Sequence, residues 1–232
     1  VSPSGCSGFC HGTIFYQVDA NYTFDIDDEH NFTFLLGQEG VDYHYEAFSL
    51  LTEGQNNDRL TSISTGTRAT SWDDTTDSDY GFISFFSRGE YNYDRRIYAE
   101  AAFRLDGSSR FGASRRWGAF WSIGLMWDVQ REEFLLPYTH WLTTAQVSFS
   151  TGTSGNSSIP NYEHLALVGG GADYMGDAGV GLMQPGNENL GWEKPWTTNF
   201  GLHAGFWNRL NVDLEFYYKL TSDMLMEVPV PY

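Results

Sequence analysis

Asp213 and Glu215 put two carboxylates on one face of an extended segment, and a pair of carboxyl groups flanking a bond is the equipment of glycoside hydrolysis. Asp73, Asp74, Asp77 and Asp79, interleaved with Thr75, Thr76 and Ser78, offer clustered oxygens to a hard cation such as calcium. That stretch lacks the glycine and distal glutamate of an EF-hand loop, so the calcium signal is weak. Cys6 and Cys10 lie four apart beside Gly5 and Gly8 and leave two options open, a small disulfide loop or free thiols. His11 is a single neighbouring imidazole, and no further cysteine completes a zinc site. A GxSxG elbow, an HExxH helix and a GxxxxGK phosphate loop are all missing. No residue is therefore assigned a catalytic role, and the elements that carry Asp213 and Glu215 decide what they are.

Those elements alternate. Leu210, Val212, Leu214, Phe216, Tyr218 and Leu220 interleave with Asn211, Asp213, Glu215, Tyr217 and Lys219, so one face is apolar and the other polar. The same grammar runs through Ile14 to Ile26, Phe32 to Leu36, Ile83 to Tyr93, Ile97 to Leu105, Trp117 to Val129, Thr144 to Ser150 and Trp196 to Phe206, giving eight strands. From Trp117 to Trp127 the chain advances about 33 Å, which at a tilt of about 40° crosses an apolar band of roughly 25 Å. Asp213 and Glu215 then read as hydrated wall residues of a transmembrane antiparallel up-and-down β-barrel, balanced by Lys219.

The connections alternate in length. Short links fall at 27–30, 94–96 and 207–209, with a longer one at 131–140; long links fall at 42–79, 106–116 and 152–195. In outer-membrane barrels the short turns are periplasmic and the long loops extracellular, with aromatic girdles at both interfaces. The link through Asp94, Arg95 and Arg96 sets Tyr93 opposite Ile97 and Glu90 opposite Glu100, with Arg88 on the diagonal to offset the two acids.

Of the 232 residues, 41% are apolar and 17% aromatic, with 25 glycines. No apolar run is long enough for a membrane-crossing helix, whereas a barrel needs only alternate apolar residues. Thirty acidic residues against 13 basic ones give a net charge of −17, which disfavours a nucleic-acid partner. No signal peptide opens the sequence at Val1, so either it has been removed or the true N-terminus lies elsewhere.

From Arg104 the chain reads RLDGSSRFGASRRWGAFWSIGLMWDVQREEFL, followed by STGTSGNSSIPNY, NENLGWEK and LNVDLEFYYKLTSDML. In these motifs and their order it resembles the barrel of SusC-like TonB-dependent transporters, the outer-membrane nutrient importers of Bacteroidota. Asp106, Gly107, Ser108, Ser109, Arg110, Phe111, Gly112, Trp117 and Gly118 carry the most specific part of the likeness. Trp121 follows Phe120 where the family often has proline. The resemblance implies that residues 1–232 are about eight strands of a barrel of roughly 22, with the plug domain and TonB-contacting segment outside this sequence. It implies import of oligosaccharides or peptides, a SusD-like lipoprotein and the TonB complex as partners, outer-membrane lipid around the apolar face, and no enzymatic activity.

Within this reading Asp106 and Gly107 begin a turn and Arg110 braces a neighbouring loop or touches substrate. Trp72, Tyr162 and Trp192 are loop aromatics suited to stacking on a ligand, or to anchoring their own loops. Two alternatives use the same strands differently: a self-contained eight-stranded structural or adhesion barrel, disfavoured by Pro229 and Pro231 near the end, and a secreted β-sandwich that binds glycans.

Overall fold

The computed structural model describes residues 4–54, 57, 59, 62, 66, 68–170 and 179–226, and the side chains of all these except 4–8, 50 and 68–76. Alternation becomes strand wherever the sequence carries it. The strands are β1 (Ser4–Ile26), β2 (His30–Glu53), β3 (Arg68–Tyr93), β4 (Ile97–Ser108), β5 (Trp117–Asp128), β6 (Leu142–Thr153), β7 (Leu167–Gly170), β8 (Val180–Gln184), β9 (Lys194–Phe206) and β10 (Leu210–Ser222). Eight of them form one sheet in the order β1-β2-β3-β4-β5-β6-β9-β10, while β7 and β8 pair as a small hairpin inside the loop between β6 and β9.

Among the described residues the large sheet is open, with β1 and β10 at its edges, which removes the self-contained eight-stranded barrel. The sandwich reading fails as well. Among the described residues the second sheet has two strands and nothing packs over the apolar face of β5, where Trp117, Trp121, Ile123, Leu125 and Trp127 are exposed by 40–53%.

Two units divide the chain by contact density, residues 1–16 with 41–81 and residues 17–40 with 82–232. In the second unit, β4, β5, β6, β9 and β10 are 12 or 13 residues long, the length of one bilayer crossing. β1, β2 and β3 run 23, 24 and 26 residues, and their surplus requires water or protein around it instead of hydrocarbon. The expected loop at 42–79 is therefore mostly strand, and the connection shrinks to residues 54–67. Asp42, His44 and Glu46 alternating with Tyr43 and Tyr45 satisfy the period of two without a lipid-facing row, which is why the polar stretch resembles a loop in sequence.

The short turns fall where expected. Arg96 N–H donates to the Tyr93 carbonyl at 2.8 Å with Asp94 and Arg95 at φ 46° and 55°, and Arg209 N–H to the Phe206 carbonyl at 3.0 Å with Trp207 and Asn208 at 51° and 53°. Two consecutive left-handed residues give the turn whose twist matches that of the strands. β5 reaches β6 through two 3-10 turns, Val129–Arg131 and Glu133–Tyr138.

Cys6 and Cys10 share strand β1, where four residues of rise separate them by about 13 Å, far beyond disulfide reach. Cys10 is an exposed free thiol, and the disulfide alternative falls.

Candidate functional site

Register builds two opposed faces from the same strands. One row runs Tyr91, Ala99, Leu125, Phe149, Phe200, Phe216 across β3, β4, β5, β6, β9 and β10, and the neighbouring row on the other face runs Glu90, Glu100, Gly124, Ser150, Asn199, Tyr217. The polar face lines a concavity of about 840 Å³ that takes in Arg88, Gln146, Ser148, His203, Asp213 and Glu215. The apolar face carries an aromatic belt at each end. At the short-turn end His30 Nδ1 and the Tyr91 hydroxyl share a 2.8 Å hydrogen bond, Trp127 Nε1 donates to Glu132, and Trp141 stacks on Phe206 at 5.9 Å. At the long-loop end Trp117 stacks on Phe85 and Trp196 Nε1 donates to Thr151 Oγ1 at 2.9 Å.

The expected charge network is present on the polar wall. Glu90 stands opposite Glu100, and Arg88 bridges them, 3.2 Å from Glu100 and in contact with Glu90. A second cluster escapes the sequence. Arg104 donates to Asp106 at 2.7 Å, to Ser84 at 2.9 Å and to Glu39, and both Ser84 and Asp106 are buried. Asp106 and Arg104 share a face by their spacing, which was readable; Glu39 depends on how β2 docks, which was not. Asp213 bonds His203 on the facing strand and Glu215 lies opposite Gly201, so the two acids are wall residues.

Above the wall the loops converge on a small core of Phe111, Phe120 and Trp192, with Phe82, Ile159, Leu190 and Leu225 packed around it. Trp192 is only 5% exposed and its Nε1 donates to the Arg116 carbonyl at 2.9 Å, so it anchors loops and offers no face for a ligand. Phe111 is fully buried, and Gly112 N–H donates to the Leu190 carbonyl at 3.1 Å. Gly118 is tight for the same reason, since a Cβ there would crowd the Phe120 and Trp192 rings. Asp106, Gly107 and Ser108 are buried at the end of β4, Ser109 is exposed, and Trp117 opens the apolar face of β5. The motif thus fastens loops together. Arg110 reaches from the β4–β5 loop to the loop after β6, its Nε donating to Asn161 Oδ1 at 2.7 Å. Tyr162 is half-buried in the loop after β6. Trp72 belongs to β3, and its side chain lies outside the described residues.

Gly112→Ala is expected to separate the 109–116 loop from the 186–190 segment, because the added Cβ would run into the Glu188 carbonyl. Overpacking of this kind costs about 1–3 kcal/mol. Limited proteolysis should show new cleavage within the loops while the strands stay resistant; an unchanged digestion pattern would count against the fastening role.

Of the acidic stretch, the side chains of Asp77 and Asp79 are described, and they face His44 across the hairpin with donor atoms within 4.8 Å of one another. His44 Nδ1 is 2.6 Å from Asp79 and 3.7 Å from Asp77. The group lies in the surplus length of β2 and β3, where the hydrogen bond and charge of Asp79 raise the imidazole pKa above 6.5 against an opposing desolvation, with the charges of Asp77 and Glu46 adding less. The ion pair is therefore complete below that value and is lost as pH rises through the raised one. Its side chains are more than half exposed, so solvent screening keeps it weak.

Residues 7–232 match the family model described as TonB dependent receptor-like, beta-barrel. The chain belongs to this family. TonB-dependent receptor barrels are outer-membrane proteins of Gram-negative bacteria and are not enzymes. Relatives include TonB-dependent receptor P39 of Formosa agariphila, 33% identical over 216 residues, which cover 91% of this chain and 20% of that protein. TonB-dependent receptor SusC of Bacteroides thetaiotaomicron is 34% identical over 157 residues, 64% of this chain and 16% of its own. Among solved structures, the RagAB peptide transporter superposes with a TM-score of 0.88 at 36% identity, over 97% of this chain and 25% of its own. The chain thus spans about a fifth of the curated P39 receptor and a quarter of that solved transporter chain.

Proposed function

We propose that this chain is a wall section of a TonB-dependent outer-membrane importer of the SusC-like kind, which takes up oligosaccharides or peptides together with a SusD-like surface lipoprotein. The observation that carries the reading is the two-faced register: a polar wall over a concavity of about 840 Å³, backed by an apolar face with aromatic belts at both ends. A wall of this kind separates lipid from a wet lumen and leaves the chemistry of transport to position and charge. The name of one solved relative, a peptide transporter, supports the peptide class; the oligosaccharide class is carried by the family resemblance alone. The loops at 54–67 and 154–193 then face outside and form part of the surface on which the lipoprotein closes, as Bacteroidota membranes would present it.

The test uses the full-length polypeptide in its own outer membrane. Energised uptake of a fluorescent tryptic peptide pool and of a fluorescent maltodextrin pool is measured with and without a TonB-disabling mutation. Epitope tags near Asn57 and Gly170 should be detected on intact cells, and at least one pool should enter only when TonB is functional. Tags seen only after permeabilisation would invert the topology, and entry of neither pool would end the importer reading for these substrates.

A further inference from the structure

Tyr162 has a φ of 69°, in the left-handed region. A bulky residue without glycine's freedom rests there only when its surroundings hold it, and such positions concentrate where a side chain must be presented in one attitude. The restraints come from both sides. Arg110 Nε donates to Asn161 Oδ1 at 2.7 Å and its Nη1 donates to the Ser157 carbonyl at 3.3 Å, so one guanidinium grips the segment at two points before Tyr162. His164 Nδ1 is 3.1 Å from the Arg110 carbonyl, which ties the segment after Tyr162 to the same residue. Gln184, at the end of β8, donates to the carbonyls of Tyr162 at 3.2 Å and Leu165 at 3.0 Å.

Arg110 is itself fixed. Its neighbour Phe111 has no exposed surface, and its own N–H donates to Ser108 Oγ at 3.3 Å beside the buried end of β4. A planar fork that spans two acceptors at set angles is what arginine supplies and lysine does not. We infer that Arg110 is a positioning residue: from the β4–β5 loop it fixes the backbone of residues 157–164, so that Tyr162 is held in its left-handed conformation as a specificity-determining contact of the external loops. The contact with cargo rests on the importer reading; the grip on the loop does not.

Both parts are tested in the full-length transporter. Amide hydrogen exchange in Arg110→Ala should rise about tenfold across residues 157–166, the order expected when a charged hydrogen bond is lost, while β4 and β5 stay unchanged. Arg110→Lys should recover part of the protection. In a Tyr162→Gly background, where left-handed backbone carries no strain, the Arg110→Ala effect should shrink. A uniform rise that includes β4 and β5, or no rise at 157–166, overturns the grip.

For uptake of whichever labelled pool the wild type imports, Arg110→Ala and Tyr162→Ala should each raise KM about tenfold with the maximal rate within about twofold. The double variant should be no worse than Tyr162→Ala, since two residues acting through one contact are not additive. Additive effects, or an unchanged KM, overturn the route through Tyr162. Should the wild type import neither pool, the importer reading fails together with the cargo contact, whereas the exchange experiment still decides the grip.

Discussion

Leu214→Arg will weaken the folded barrel by about 2–4 kcal/mol if position 214 sits near the bilayer midplane, whereas Asp213→Asn next to it will change stability by less than about 0.5 kcal/mol. Leu214 lies at the middle of β10 opposite Leu202, half exposed on the face that carries Phe200 and Phe216. A guanidinium there has hydrocarbon around it and no partner on the strand beside it. Asp213 points to the other face, where its carboxylate bonds His203 in a site open to water. An exposed pair contributes little, and an amide can keep the hydrogen bond. Urea titration of the full-length protein in vesicles, followed by heat modifiability on gels, separates the two variants. Equal midpoints would mean that the faces of β10 are assigned wrongly.

That assignment is legible in the sequence because a period of two leaves no freedom. Once Leu210, Val212 and Leu214 share a face, a slip of one residue would turn Asp213 and Glu215 into lipid. The Glu90–Glu100 opposition was equally fixed, since a tight turn through Asp94 and Arg95 sets the register of the whole hairpin. Two kinds of information were missing. The polar halves of β2 and β3 carry alternation with no apolar row, so strand and loop look alike until pairing is known. Trp192 shows the second kind. Its burial depends on Phe111 and Phe120, both more than 70 residues away in the chain, and loop closure over such distances leaves no local trace. Arg110 was legible as a brace from its turn chemistry, but its partners Asn161 and Ser157 were not.

The largest effect concerns the sheet itself. Residues 1–232 expressed alone will not fold into a stable monomeric barrel in detergent or lipid, and will aggregate or pair through their edges. Among the described residues the order runs from β1 to β10 without closing, so the outer edge of each presents unpaired backbone groups. β10 is 13 residues long, and in an antiparallel strand about half the N–H and C=O groups point to each side. In hydrocarbon each unsatisfied group costs several kcal/mol, so one edge alone outweighs the roughly 5–15 kcal/mol that holds a whole domain together. Only further strands can supply the missing partners, and the fraction of its relatives that this chain spans says where they come from. Sedimentation and heat modifiability of the isolated segment, compared with the full-length polypeptide, decide the matter. A heat-modifiable monomer that closes on its own, or a soluble monomer in the absence of detergent, would show that these eight strands do not need neighbours and that the wall-section reading is wrong.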